Sequence, residues 1–275
     1  MSTRRFRARG NGLDLSVVEW GGGPVTCVLL HGFADAAASF DLVAPALAAS
    51  GLRVLAPDLR GFGESDRVPR GGYYHFPDYV ADVDALVRAH APDPFLLVGH
   101  SMGGTVATMF AGARPECVRK LALLEGVGPP DHAPTIAPLR ARKWLEDLAA
   151  PPEPAKMTEA EALARLAATH PRVPRDVLAS RLPHLFADGA WRHDALHRTT
   201  SPTPFFADVY RAYAARVACP VLYVSGGALG WRVPDEDARL AAFADVKHVD
   251  LADAGHMMHW TKPGEAAGVL VEFLT

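Results

Sequence analysis

Cysteine is scarce in this chain. Cys27, Cys117 and Cys219 are the only three in 275 residues. They are odd in number, widely spaced and set in apolar surroundings, which argues against a disulfide framework or a zinc knuckle and fits reduced thiols in a core. An excess of one charge is missing as well. The formal net charge is −3, with acids and bases mixed along the chain, so no basic face is available to hold nucleic acid and no acidic tail is present. No apolar run approaches the roughly 18 residues that would span a bilayer. The basic opening MSTRRFRARG lacks the apolar stretch that follows in a secretory leader. These absences predict a soluble, cytoplasmic protein with neither nucleic acid nor membrane as a partner. No internal repeat or low-complexity tract is visible.

What is present is enough apolar material for a substantial core, at 49% of residues. GNGLDLSVVEWGGG carries an Asn11-Gly12 turn signal and then alternates apolar and polar through Leu13, Leu15 and Val17, which predicts an antiparallel hairpin. VTCVLL (25–30), RVLAP (53–57), FLLVG (95–99), KLALLE (120–125) and PVLYVSG (220–226) are short continuous apolar runs, as expected of strands buried on both faces of a parallel sheet. Helical spacing lies between them, for example at Phe76, Val80, Val83 and Val87. Such alternation predicts a doubly wound α/β fold.

One segment breaks the rhythm. Between Gly128 and Phe206 no buried-strand run appears, and 12 of the 23 prolines fall there. Residues 128–206 are therefore expected to form an inserted helical cap, with 1–127 and 207–275 as the core. WLEDLAA and EAEALARLAA are its clearest helices, broken into short pieces by the prolines. Trp144, Trp191, Phe205 and Phe206 either line a pocket facing the sheet or hold the cap's own small core.

PFLLVGHSMGGTVATMFAG places G-H-S-M-G between a buried strand and a helix. This is the setting of a nucleophile elbow, in which the serine occupies a strained turn and small residues two positions to either side prevent a clash. Gly99 and Gly103 fill those positions, Gly104 lets the helix pack close to the sheet, and Ser101 is the expected nucleophile. A serine hydroxyl is a poor nucleophile near neutral pH, so a base must take its proton, and an imidazole ordinarily titrating near 6.5 suits the task. His256 is the expected base, in a Gly-containing loop after the strand-like KHVDLAD. His259 is its nearest rival. His31 and His100 flank the site and are read as structural. His193 and His197 are four apart, like two metal ligands on a helix, but no third ligand of matching spacing stands out, so they are read as solvated cap residues.

At this point the chain resembles the α/β-hydrolase superfamily over most of its length outside the cap. LLHGFADAAASF, PDLRGFGES and DAGHMMHWTKP look like that superfamily's HG-x segment, next strand-loop and histidine loop. The resemblance implies a triad in chain order serine, acid, histidine, and an oxyanion hole of two backbone N–H groups. On this sequence the donors fall at Phe33 and Met102. It also favours His256 over His259, because the family pattern places a Gly before the base.

The acid departs from the pattern. The family most often places it after the strand matched by PVLYV, as G-x-x-D, and that slot here holds Leu229. The preceding strand ends in Glu125, an odd choice for packing, since an unpaired buried carboxylate is costly. Some dehalogenases and esterases of the superfamily keep their acid at this earlier strand, and Glu125 matches that position. Asp235 and Asp237, which look like helix-start residues, and Asp253, which looks like a turn residue, compete with it. Asp58 is read as a loop-tying residue.

The reading is a serine hydrolase that cleaves a carboxylic ester of a small to medium apolar substrate through an acyl-enzyme, with Ser101, His256 and Glu125 as its triad. No cofactor and no metal are expected, and the only expected partner is the small-molecule ester. EGVGPP and WRHDALHRTTSP look, more loosely, like the Kraken-like or serine hydrolase-like subgroup. Haloalkane dehalogenases and epoxide hydrolases share the architecture but use an aspartate nucleophile, which Ser101 argues against. A lactonase, thioesterase or carbon–carbon bond hydrolase remains open, since one triad serves them all. So does a non-catalytic small-molecule receptor, which Leu229 motivates.

Overall fold

A computed structural model describes residues 3–91 and 94–275; Met1, Ser2, Pro92 and Asp93, which the expected core range 1–127 includes, lie outside the described residues. The Asn11-Gly12 turn separates β1 (Thr3–Arg9) from β2 (Asp14–Gly21). Gly12 sits at φ 79°, a conformation that favours glycine. The first arm of this hairpin is the basic segment itself. Arg4, Arg5 and Arg7 project from an edge strand onto Glu19, Asp58 and Asp66, and such charges discourage edge-to-edge pairing.

Next come β3 (Val25–Leu30), α1 (Ala44–Ala49), β4 (Leu52–Pro57), α2 (Phe76–His90), β5 (Phe95–His100), α3 (Met102–Ala113) and β6 (Val118–Leu124). After them stand α4 (Ala137–Ala149), α5 (Glu159–Thr169), α6 (Arg175–Leu185) and a small hairpin of β7 (Phe186–Ala187) and β8 (Ala190–Trp191). The chain ends through α7 (Ala207–Ala214), β9 (Val221–Ser225), α8 (Glu236–Leu240), β10 (Val246–Asp250), α9 (Met258–Thr261) and α10 (Pro263–Leu274). The main sheet runs β1-β2-β4-β3-β5-β6-β9-β10. It is antiparallel at β1–β2 and β2–β4 and parallel from β4 onward.

Why the central strands read as unbroken apolar runs is plain from their two faces. Val28, Leu30, Leu97, Leu121 and Leu123 point into one core with α2, α3 and α7. Their neighbours Cys27, Leu29, Leu96, Ala122 and Leu124 point into a second core with α1 and α10. Cys27, Cys117 and Cys219 are all buried. No helix among the described residues is long and apolar enough to cross a membrane.

The helices between β6 and β9 have their own packing. Thr158 and Glu161 form a reciprocal cap at the start of α5. Leu166 of α5 and Leu178 and Leu182 of α6 pack with Ala36, Met257 and Trp260. That contact seats α5 and α6 beside the sheet edge where α3 begins. Helix α4 has no buried residue at all. Helix α6 is the element that the sequence pattern misses, because Pro183 inside it reads as a breaker. It stands two residues before the helix ends at Leu185, where it removes a single N–H bond, its own to residue 179.

Candidate active site

Ser101 stands between β5 and α3 with φ 51° and ψ −117°, a backbone state that costs about 1–3 kcal/mol for a non-glycine residue. The turn closes only because its flanks lack side chains. A Cβ at Gly99 would meet Gly103 and Gly104, and a Cβ at Gly103 would strike the backbone of Leu30 and His31. Gly104 has a further role: its Cα faces Gly126, where either added Cβ would collide with the other glycine. Helix α3 is thereby packed directly on the turn after β6. That turn begins at Glu125.

Glu125 leaves the strand at φ 44° and is only 1% exposed. Its carboxylate is fully engaged. Oε1 accepts from the backbone N–H of Gly226 at 2.6 Å, and Oε2 from that of Trp231 at 2.8 Å. Oε2 also meets Nδ1 of His256 at 2.7 Å. The loop that carries the acid in the usual pattern thus turns its backbone toward the displaced acid. Leu229 sits in a 3-10 turn of that loop, its carbonyl accepting from Arg172 at 3.2 Å. A Cβ at Gly230 would overlap Oε1 of Glu125, so glycine there is a requirement of close approach.

The competing acids are occupied elsewhere. Asp235 pairs with Arg239 at 2.8 Å and Asp237 with Arg232 at 3.1 Å. Asp253 is an exposed turn residue at φ 58°. Asp58 accepts from the N–H groups of Ala37 at 2.7 Å and Glu64 at 2.9 Å, tying two loops together.

Ser101 and His256 line one cavity of about 370 Å³. Phe33 is on its wall as well; Met102, the first residue of α3, is half-buried and packs toward the core. The first N–H groups of a helix have no intrahelical acceptor, so the Met102 N–H is a fixed dipole beside the serine. Helix α5 contributes Arg165, Leu166 and Thr169 to the wall, and Trp191 and His193 close it from the hairpin side. A second hollow of about 330 Å³ between α5 and α6 holds none of these groups.

Of the four aromatics proposed for the pocket, only Trp191 lies on the cavity wall. Trp144 packs edge-on to Tyr73. Phe205 is held by Phe76, by Tyr210 and by the Arg239 guanidinium over its ring, in the seam between α2, α7 and α8. Phe206 caps the start of α7. Aromatic partners outside the cavity hold Trp144 and Phe205 away from it, the latter with a cation as well. His193 and His197 are half-buried rather than fully solvated. His197 is stacked between Phe62 and Tyr74, where burial pushes its imidazole down to about 3. His193 stacks on Trp191.

The remaining histidines brace loops. His31 is buried; its Nε2 accepts from Leu59 N–H at 2.9 Å and its Nδ1 donates to the Gly32 carbonyl at 2.7 Å. His100 donates from Nε2 to the backbone carbonyl of His256 at 2.9 Å, which fixes the loop that carries the imidazole. Burial, with His259 and His256 close by, drives the His100 imidazole well below its ordinary value. His259 is buried behind the site, touching Ser39 Oγ at 2.7 Å through Nε2, and burial pushes it down to about 3. The sequence reading missed Gly226, Trp231 and Gly230 as partners of the acid, and Arg165 and His170 as wall residues. Helix facing carries no local signal, and close backbone approach left only Gly226, Gly227 and Gly230 around Ala228 and Leu229.

Comparison with known proteins bears on these features. A family described as alpha/beta hydrolase fold matches residues 26–263. A serine hydrolase-like protein of Danio rerio is 44% identical over 112 residues, covering 40% of this chain and 33% of that protein. A second serine hydrolase-like protein, from Dictyostelium discoideum, is 33% identical over 121 residues, covering 43% of this chain and 34% of its own length. The chain thus spans only about a third of either relative, 33% and 34%. Among solved structures, the thioesterase domain from the curacin biosynthetic pathway aligns over 100% of this chain and 99% of its own, with a TM-score of 0.87 and 26% identity.

Proposed function

The chain belongs to the α/β-hydrolase fold family, and from that premise we propose that it is a serine hydrolase cleaving a carboxylic ester of a small to medium apolar substrate through an acyl-enzyme. One observation carries this reading: a buried carboxylate at the end of β6 holds His256 Nδ1 at 2.7 Å beside a serine on a strained elbow. With Nδ1–H donated to Glu125, the lone pair of His256 lies on Nε2, the nitrogen that takes the proton of Ser101 as its Oγ attacks the ester carbonyl. The N–H groups of Phe33 and Met102 stabilise the oxyanion by about 3 kcal/mol per donor. The imidazolium, steadied by Glu125, returns its proton to the leaving alcohol. Water activated by the same ring then releases the acid.

Two N–H donors fix the Glu125 carboxylate while its Oε2 faces His256, so the loss of the usual acid at Leu229 no longer favours a non-catalytic receptor. A thioesterase is the second reading, supported by the full-length likeness to the curacin thioesterase domain. Chemistry and residues are the same in both; the leaving group differs. A serine-directed phosphonate is expected to label the protein at Ser101 and to leave Ser101→Ala unlabelled; labelling of another residue would remove the elbow from the mechanism. Matched aryl esters and acyl thioesters then rank the two substrate classes by kcat/KM.

A further inference from the structure

Behind the wall that carries Ser101, the fold gathers polar groups that the proposed hydrolysis does not use. Asp35, His100 and His259 are all buried, at 6%, 2% and 0% exposure. One donor atom from each lies within 4.8 Å of the other two. The two imidazole rings have centroids 4.4 Å apart. Both Nε2 atoms are committed, to the His256 carbonyl at 2.9 Å and to Ser39 Oγ at 2.7 Å. Both Nδ1 atoms are buried with no hydrogen-bond partner among the described residues.

The hydrogen-bond network assigns the tautomers. A carbonyl only accepts, so His100 carries its proton on Nε2 and presents a bare lone pair at Nδ1. Ser39 Oγ receives Trp260 Nε1–H at 3.0 Å and gives its one proton to Asp35 Oδ2 at 2.5 Å. Its remaining lone pair takes Nε2–H of His259, which leaves that Nδ1 bare too. Two unprotonated imidazole nitrogens without a donor, withdrawn from water, stand beside a carboxylate that already accepts from Ser39 Oγ–H and, at 2.8 Å, from the Ala36 N–H. The bare pair is costly for a core, and with the carboxylate it is the ligand set of borderline divalent metals. Metal-binding histidines typically anchor their remote N–H on a protein acceptor. Both do so here.

We propose that Asp35, His100 and His259 form a binding site for a divalent transition-metal ion of the zinc or cobalt kind, ligated by the two Nδ1 atoms and a carboxylate oxygen. Asp35 and His100 also line the Ser101 cavity, which provides the ion's entry path and leaves room for a fourth, exchangeable ligand. Tetrahedral bonds of about 2.1 Å set donors roughly 3.4 Å apart, so loading draws the three side chains inward. The His100 ring lies 4.7 Å from that of His256. A dication there opposes the imidazolium that forms during attack, so its occupation inhibits hydrolysis; this consequence rests on the serine-hydrolase reading, whereas the site does not.

The test is a titration of the chelator-treated protein with Co²⁺ and Zn²⁺, followed by visible d–d absorption, calorimetry and ¹⁵N histidine spectra. Expected are one ion per chain, the absorption of four-coordinate cobalt, and shifts of two Nδ1 resonances while their Nε2 protons remain. His259→Gln and Asp35→Asn should each weaken binding at least about tenfold, and Ser101→Ala should bind as the wild type does. No stoichiometric binding by the wild type, or equal binding by both variants, overturns the site. If a variant fails to fold, the wild-type spectra decide alone, since unmoved Nδ1 resonances refute it. Hydrolysis by the wild type should fall with the same midpoint as binding and recover with chelator. Binding without inhibition overturns the coupling, and failure of Ser101 labelling removes the hydrolytic reading without touching the metal titration.

Discussion

Glu125 gathers three donors on two oxygens, so a neutral isostere there conflicts with its surroundings. In Glu125→Gln the amide NH₂ must face the Gly226 N–H or share the side of Trp231 N–H and His256 Nδ1. The first orientation leaves the Gly226 N–H without an acceptor; the second leaves the Trp231 N–H without one and turns an N–H toward His256 Nδ1, which favours the wrong tautomer. The expected outcome is a fall in kcat of about 10³–10⁴-fold with KM and the thermal midpoint little changed; steady-state kinetics beside a melting curve checks both. Gly230→Ala probes the same carboxylate from behind. Its methyl overlaps Oε1, so the acid shifts away from His256, and kcat should drop while phosphonate labelling of Ser101 slows in proportion. A variant as fast as the wild type would mean that the loop moves aside freely. At this scale much of the candidate site was legible, because chemistry leaves marks in the wrong place for packing: a serine between glycines, an acid closing an apolar strand. The N–H groups that hold the acid were not legible, since a backbone donor has no residue type.

At the scale of elements, the strands of the parallel sheet were readable from their runs because both faces are buried, whereas β1 was hidden under its arginines and α6 behind Pro183. The aromatic residues of the 128–206 segment show why facing is harder to read than element type. Trp191 lies on the cavity wall, and Phe205 in a seam of helices under a guanidinium; composition alone treats them alike. Their substitutions should therefore separate. Trp191→Ala is expected to raise KM for bulky acyl groups several-fold with stability near normal. Phe205→Ala should cost about 2–3 kcal/mol of folding free energy, near the lower end for a partly buried ring, with kcat/KM retained. Denaturant midpoints and a chain-length series of esters distinguish the two. The reverse pattern would place Phe205, and not Trp191, against the substrate.

Across the whole molecule, several histidines are enclosed, which sets the response to acid. His31 is depressed chiefly by burial, and His197, between Phe62 and Tyr74, is pushed by burial down to about 3. In the metal-free chain His100 and His259 are depressed in the same direction for the same reason. Unfolding returns each to the ordinary value near 6.5, so below that pH the unfolded chain binds more protons than the folded one. The stability these groups contribute is complete above pH 6.5 and is lost as pH falls toward 3, at up to about 1.4 kcal/mol per pH unit for each. Asp35 works the other way. Its burial raises the carboxyl to about 7, so between roughly 4 and 7 folding takes up one proton there, and this offsets one histidine of the four. The net prediction is a urea midpoint, measured with chelator present, that declines steadily from pH 6.5 to 4.5. A midpoint that holds constant over that interval would mean that these imidazoles are solvated in the native state, and the close packing of His31 and His197 described above would then be wrong.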